Sequence, residues 1–295
     1  MEEYDTPRIL SIQSHVVAGY VGNKSATFPL QLLGFEVDAI NSVQLSNHTG
    51  YKVIKGQVLN SEDLVDLMDG LIENNIDHYT HLLTGYVGSA SFLRQIAQVV
   101  QKLKSKNPKL LYVCDPVMGD NGKMYVPEEL KEIYKNEIIP LADIITPNHF
   151  ELELLLNRKI HTLSEIKDSL QELHKLGIRT IAVSSTYLDG KLISIVSSTT
   201  DEVIKIEIPQ ISAIYTGSGD LYAALFLAHS YLQNNLKLAL ENTINSLHDV
   251  LLKTYEYSLD IKNRNMQDVR KIELRLIQSK RFIENPSNKL QAEII

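Results

Sequence analysis

The run Thr216-Gly217-Ser218-Gly219-Asp220-Leu221-Tyr222-Ala223-Ala224-Leu225 sets two glycines and a carboxylate at the opening of a strongly apolar helical stretch. Small residues there leave backbone N–H groups unshielded at the positive end of the helix dipole. That end carries about half an elementary charge and attracts anions. Asp220 would be out of place if the end only held a phosphate, because it adds a negative charge beside an anion. It fits a general base that takes the proton of an attacking hydroxyl while the N–H groups hold a transferring phosphoryl group. An acidic residue in a first helical turn is also favoured by the dipole alone, and the local sequence leaves both readings open. A dinucleotide GxGxxG is excluded, since its third glycine position is Tyr222.

Other motifs are weaker taken singly. Gly22-Asn23-Lys24-Ser25 nearly spells a P-loop, but Asn23 stands where glycine must precede the lysine, and no glycine lies five residues before it. Ser46-Asn47-His48-Thr49-Gly50 reads as a polar turn, or as a loop offering hydroxyl and imidazole groups to a small polar ligand. Its Asn-x-Thr pattern matters for glycosylation only in a secreted chain. Asp115-Pro116-Val117-Met118-Gly119-Asp120 and Pro147-Asn148-His149-Phe150-Glu151 put carboxylates and amides in two neighbouring segments. That suits Mg²⁺, which takes few protein ligands and shares its shell with water and substrate phosphates. Asn148 with Glu151 three residues on fits a helix N-terminal cap equally well. His78 and His81 lack a carboxylate partner for zinc, and Cys114 reads as an inert thiol in a buried strand.

These motifs must be positioned by alternating elements. Arg8–Gln13, Phe35–Asn41, His81–Thr84, Leu110–Cys114, Asp143–Thr146 and Thr180–Ser184 read as strands without polar alternation, as in a parallel sheet buried on both faces. Helical patterns separate them at Asn23–Leu33, Ser61–Asn74, Ser89–Lys106, Val126–Ile138 and Leu163–Leu176. Strand, helix, strand in rotation predicts a doubly wound α/β sheet with helices on both faces, a three-layer αβα architecture. Leu192–Val196 and Val203–Ile208 predict an antiparallel edge, followed by long helices over Gly219–Gln233 and Leu236–Tyr257 and a mixed, charged tail. Ligands of such sheets bind beyond the carboxyl ends of the strands, where the motifs fall. No linker divides the 295 residues, so residues 1–295 read as one domain.

Composition bounds the function. The chain is 44% hydrophobic and 22% charged with a net charge of −7, an ordinary globular balance that argues against general binding to nucleic acid or acidic membranes. One cysteine and an acidic start, Met1-Glu2-Glu3-Tyr4-Asp5, without an apolar signal region, lead us to expect a reducing, cytoplasmic setting.

Taken together, SIQSHVVAGYVGNKSATFPLQLLGFEVDAINSVQLSNHTGY (Ser11 to Tyr51), KGQVLNSEDL, LTGYVG, YVCDPVMGD, MYVPEEL and PLADIITPNHFELELL resemble the pyridoxal kinases of the ribokinase-like superfamily, from about Arg8 to the C-terminus. The resemblance implies an ATP-dependent kinase that phosphorylates the 5′-hydroxymethyl group of pyridoxal, pyridoxine and pyridoxamine. It implies that Ser14 and Thr49 bond the pyridine substituents, with His48, Tyr86 and Val21 forming the vitamin pocket. It places Asp115, Asn148, Glu151, Ser184, Ser185, Tyr125, Ser218 and Gly219 around ATP. Asp115, Asp120, Thr146 and Glu151 would face the cations, Mg²⁺ or Zn²⁺ with K⁺ or Na⁺ as activator. Gly217 and Gly219 would form the anion hole, with Asp220 as base. A homodimer is implied as well. Ser218 and Ser184 stand where threonine is usual in the family, each keeping the hydroxyl. The segments at Asn121-Gly122-Lys123 and from Asp189 to Asp201 are shorter than in animal-like members. The alternatives are a kinase for a hydroxymethylpyrimidine or a sugar, and a catalytically silent vitamin-binding protein.

Overall fold

The computed structural model describes residues 6–200, 202–260 and 268–295; Met1–Asp5, Asp201 and the charge cluster Lys262-Asn263-Arg264 lie outside them. Among the described residues a ten-stranded sheet runs through the molecule. Its chain opens with β1 (Arg8–Val16), α1 (Asn23–Leu32), β2 (Glu36–Leu45), β3 (Gly56–Val58), α2 (Ser61–Glu73), β4 (His81–Thr84), α3 (Ala90–Lys106) and β5 (Leu111–Cys114). A small hairpin of β6 (Gly119–Asp120) and β7 (Lys123–Met124) follows, then α4 (Glu129–Ile133), β8 (Ile144–Ile145), α5 (His149–Leu156) and α6 (Leu163–His174). The second half holds β9 (Thr180–Leu188), β10 (Lys191–Ser198), β11 (Ile204–Ile208), α7 (Ser218–Gln233) and α8 (Leu236–Asp260). The chain closes with α9 (Asp268–Lys271), α10 (Lys280–Glu284) and β12 (Ala292–Ile294). The sheet order is β12-β11-β10-β9-β8-β5-β4-β1-β2-β3. β9, β8, β5, β4, β1 and β2 are mutually parallel, and the strands beyond them on either edge are antiparallel.

Alternation along the buried strands explains the three layers, since successive side chains point to opposite faces. Leu10, Leu82 and Tyr112 pack on one face against Leu64 of α2, Ile96 of α3 and Ile166 of α6. Their neighbours Ile9, Leu83 and Val113 pack on the other against Ala26 of α1, Tyr222 of α7 and Leu240 of α8. Among the described residues no helix is long and apolar enough to cross a membrane.

Several boundaries differ from the sequence-based expectations. β1 continues past Gln13 to Val16 and β9 past Ser184 to Leu188. Ser14, expected in a loop, and Ser185 are therefore strand residues. The helix expected over Val126–Ile138 is α4, a π-type turn at Tyr134–Ile138 and a 3₁₀ turn at Ile139–Leu141. Pro140 cannot donate the N–H that would continue an α-helical ladder. Of α5 the sequence shows only the cap at Asn148, and it does not show β3 and β12, three-residue edge strands too short to reveal a period. Asn121-Gly122 joins β6 to β7 and Asp189-Gly190 joins β9 to β10, each pair with positive φ at both residues. Two-residue hairpins favour such Asx-Gly pairs because that backbone twist matches the strands.

Candidate active site

The helices α1 and α7 begin side by side, although their starts lie almost two hundred residues apart in sequence. The Gly22 N–H donates to Asp220 Oδ2 at 2.8 Å, and the Ser25 hydroxyl donates to the Gly217 carbonyl at 3.1 Å. Glycine is required at both turns. Gly22 has φ +54°, and a Cβ there would lie 2.0 Å from the Ser14 carbonyl; Gly217 has φ +81°, and its Cβ would lie 2.1 Å from the Tyr20 carbonyl. α2, α3, α5 and α6 are capped by the side chains of Asn60, Ser89, Asn148 and Thr162. Gly22 and Gly217 have no side chain to cap α1 and α7. Gly219 is exposed, with open space where a Cβ would stand. The first turn of α7 thus offers N–H groups at the positive end of its dipole.

Asn23 seats the start of α1. Its buried amide donates to the Ile40 carbonyl at 2.9 Å and to Asn41 Oδ1 at 2.8 Å, and its oxygen accepts from the Ser11 hydroxyl at 2.7 Å. Lys24 gives its ammonium to the Val17 carbonyl and lies over the Tyr20 ring. The near-P-loop is a helix-docking motif.

Beside this junction lie three carboxyls, Asp115 and Glu151 buried and Asp220 half-buried. Asp220 is pushed above the usual carboxylate range by burial, opposed by the Gly22 hydrogen bond. Asp115 follows β5 and accepts from the Thr146 hydroxyl at 3.1 Å across the β5–β8 ladder. Burial, then the charges of Glu151 and Asp220, raise it well above its ordinary range. Glu151 and Asn148 form the capping box of α5: Asn148 Oδ1 accepts the Glu151 N–H, and Glu151 Oε2 accepts the Asn148 N–H, both at 2.9 Å. The cap also braces the loop after β5, because Glu151 Oε1 accepts from Met118 at 3.0 Å and Asn148 Nδ2 donates to the Gly119 carbonyl at 2.8 Å. Burial pushes Glu151 up to about 8, opposed by those backbone donors and reinforced by Asp120. Asp120 is less buried and accepts from Asn121 within its own turn.

Among the described residues no three His, Cys, Asp or Glu are grouped closely enough to hold a metal by themselves. The donor set nevertheless fits a hard divalent ion carried largely by nucleotide phosphates and water. Asp115, Glu151 and Asp220 raise one another or are raised by burial, the situation a cation relieves.

The raised Glu151 carboxyl has a consequence for stability. A carboxyl that holds its proton more tightly when folded contributes most below its unfolded value of 4.5, and loses that contribution as pH rises to about 8. The stability of the wild type relative to Glu151→Gln is therefore expected to decline with rising pH. Thermal unfolding of both proteins between about pH 5 and pH 8 checks this, and a constant gap between them refutes the raised value.

On the other side of the Gly22 turn, a register shift between Gln13 and Ser14 pairs Ser14 with Val43 of β2. Ser14 Oγ lies 2.4 Å from the position a Gly22 Cβ would take, which brings Ser14 to the turn that holds Asp220. Val21 is half-buried in the same turn, and Thr49 is exposed. His48 is buried, edge-on to Tyr51 with ring centroids 4.9 Å apart. Burial lowers its pKa, and its Nδ1 accepts the Gly50 N–H at 3.2 Å, which leaves the proton of the neutral ring on Nε2. Tyr86 is half-buried against the main core. Tyr125 is exposed, held through its N–H to the Met118 carbonyl at 2.8 Å. Ser184, with Ser185 beside it in mid-strand, is level with the end of β8, since its N–H donates to the Pro147 carbonyl at 2.9 Å.

Three contributors escaped the sequence reading: Asn23, Tyr51 and Glu273. Tyr51 closes the quoted SNHTGY stretch, and Asn23 sat inside the rejected P-loop pattern. Glu273 carries no motif; it reaches the site from the tail, where the Tyr51 hydroxyl donates to its Oε1 at 2.7 Å.

Sheet order, paired helix starts and the three site carboxyls fit a small-molecule kinase of the ribokinase-like class. The model of the family described as phosphomethylpyrimidine kinase matches residues 36–265. The chain is 48% identical to human pyridoxal kinase, with 98% of each chain covered. It is also 48% identical to the Arabidopsis thaliana pyridoxal kinase, covering 98% of this chain and 95% of that one. The pyridoxal kinase of Leishmania donovani in complex with ADP and ginkgotoxin superposes with a TM-score of 0.89 at 35% identity, covering 98% of this chain and 99% of that one. The chain belongs to the pyridoxal kinase family.

Proposed function

We propose that this chain transfers the γ-phosphoryl group of ATP to the 5′-hydroxymethyl group of pyridoxal, pyridoxine and pyridoxamine, acting as a cytoplasmic homodimer whose subunit is a single kinase domain. The observation that carries the reading is Asp220, a half-buried carboxylate held by the Gly22 N–H at the junction of two helix N-termini. Complexes of the L. donovani enzyme with ADP and pyridoxamine, and with ADP and pyridoxine, support the substrate class. Asp220 accepts the proton of the hydroxymethyl group, while the α7 N–H groups around Gly217, Ser218 and Gly219 hold the phosphoryl oxygens. Ser14, Val21, His48, Thr49 and Tyr86 orient the vitamin so that its hydroxyl faces Asp220. Asn148, Ser184, Ser185 and Tyr125 border the nucleotide. Asp115, Asp120, Thr146 and Glu151 are the residues that would hold Mg²⁺ or Zn²⁺, with K⁺ or Na⁺ as activator; a divalent ion there would supply charge neutralisation for the nucleotide phosphates. For the dimer, the exposed side chains of Val17, Val53, Ile54 and Val58 gather around the end of β2 and its edge partner β3, an apolar rim suited to a second copy.

ADP release from ATP with Mg²⁺ and K⁺, measured in parallel with pyridoxal, a hydroxymethylpyrimidine and ribose, tests the reading. Turnover with pyridoxal above the other two is expected. Turnover with the pyrimidine alone overturns the vitamin assignment and keeps the mechanism. Pyridoxal binding without turnover establishes the silent binding protein instead.

A further inference from the structure

The tail segment that follows α9 is wedged between three parts of the site. The Thr216 N–H donates to the Ile272 carbonyl at 3.2 Å, and Thr216 pairs with Glu273 as a parallel bridge just ahead of the Gly217 turn. The Glu273 side chain, 12% exposed, turns the other way. Its Oε1 accepts from Tyr51 and stands 3.7 Å from His48 Nε2, on the loop after β2. A Cβ on Gly19 would come within 3.0 Å of the same oxygen, so the carboxylate also bears on the turn after β1. Directly after the residue paired with Thr216, Leu274 and Leu276 anchor the segment among Leu221 and Leu225 of α7.

The fold does not need a carboxylate here. Two buried leucines already fix the tail, and burying a negative charge is costly unless its partners need it. Those partners are a phenol and an imidazole of the loop that offers His48 and Thr49 to the ligand. Burial and the Glu273 bond push Tyr51 up to about 12, which keeps it a donor, and the His48 proton on Nε2 faces the same oxygen. His48 Nε2 is buried and makes no close hydrogen bond, so the pull of Glu273, together with the backbone at Val269, helps to orient that ring.

We propose that Glu273 is a positioning residue of the vitamin pocket, clasping the His48–Tyr51 loop to the turns at Gly19 and Thr216–Gly217. The inference rests on the pyridoxal kinase reading above. It couples the far end of the chain to substrate affinity and leaves the phosphoryl-transfer groups untouched.

The test is steady-state kinetics of wild type, Glu273→Ala, Glu273→Gln and Tyr51→Phe, with pyridoxal and ATP varied separately. Glu273→Ala is expected to raise KM for pyridoxal about ten-fold with KM for ATP within about two-fold, the signature of lost binding on one substrate only. Glu273→Gln, whose amide oxygen still accepts from Tyr51, should recover most of that loss. Tyr51→Phe keeps its ring against His48 and should add little in the Glu273→Ala background, because the two groups act through one contact. An unchanged KM for pyridoxal in Glu273→Ala overturns the proposal, and so does an equal loss in both KM values and kcat with a lowered Tm, which marks a merely structural residue. Absence of pyridoxal-dependent ADP release in the wild type overturns the functional reading and this inference with it. Wild-type turnover with indifferent variants overturns this inference alone.

Discussion

Asp220→Asn is expected to lower kcat by about 10²–10⁴-fold, the usual worth of general acid–base catalysis, without lowering the melting temperature. The asparagine oxygen can still accept the Gly22 N–H that holds the two helix starts together, so the junction keeps its geometry. What disappears is a negative charge that contributes to raising the Asp115 carboxyl. Relief of that repulsion favours the folded state, and a site group that costs stability while supplying rate is a common trade-off. Asp220→Ala loses the same rate but also leaves the Gly22 N–H unpaired, at a cost of about 1–3 kcal/mol. Binding of ATP persists in both variants, since neither removes an N–H group of α7. The pH profile gives an independent check. A base raised above the usual carboxylate range places the acid limb of kcat/KM above an ordinary aspartate's value, and that limb vanishes in Asp220→Asn. Near-wild-type turnover of Asp220→Asn would falsify the assignment of the base.

The second large effect is expected at Gly217. In Gly217→Ala the new methyl lies 2.1 Å from the Tyr20 carbonyl, at φ +81°, where L residues are strained. Backbone strain of this kind costs about 1–3 kcal/mol, and the clash is with main chain, which cannot rotate away. The α7 start must withdraw from the α1 start, opening the Ser25–Gly217 and Gly22–Asp220 contacts. A shift of about 1 Å between reacting groups is enough for a loss of about 10²-fold in kcat/KM. Gly219→Ala is the control. It meets nothing within 4 Å and adopts no positive φ, so its melting temperature should match the wild type or exceed it. Equal melting temperatures for the two variants would show that the Gly217 turn is not strained as described.

Much of the fold was readable because its causes are local. β4 and β5 follow from short runs without polar alternation, and α7 from small residues ahead of a buried stretch, since strand burial and helix initiation are written in adjacent residues. The Asn148–Glu151 spacing announced a capping box, and the box formed. Its further work on Met118 and Gly119 came from a loop thirty residues earlier, which no spacing rule reaches. The boundary errors have the same origin. The glycines after Ser14 predict a loop there, but pairing with β2 keeps the strand going past a bulge.

The sequence by itself determined the alternating α/β order, the family, and the identity of Asp220 as the candidate base, because motif order, periodicity and helix-start chemistry depend on neighbours along the chain. Tertiary structure alone decided that the Gly22 N–H would hold Asp220, that Asp115, Glu151 and Asp220 would be driven upward by shared burial, and that Glu273 would close on His48 and Tyr51. Those are properties of groups brought together through space and removed from water, and proximity and desolvation exist only once the chain has folded.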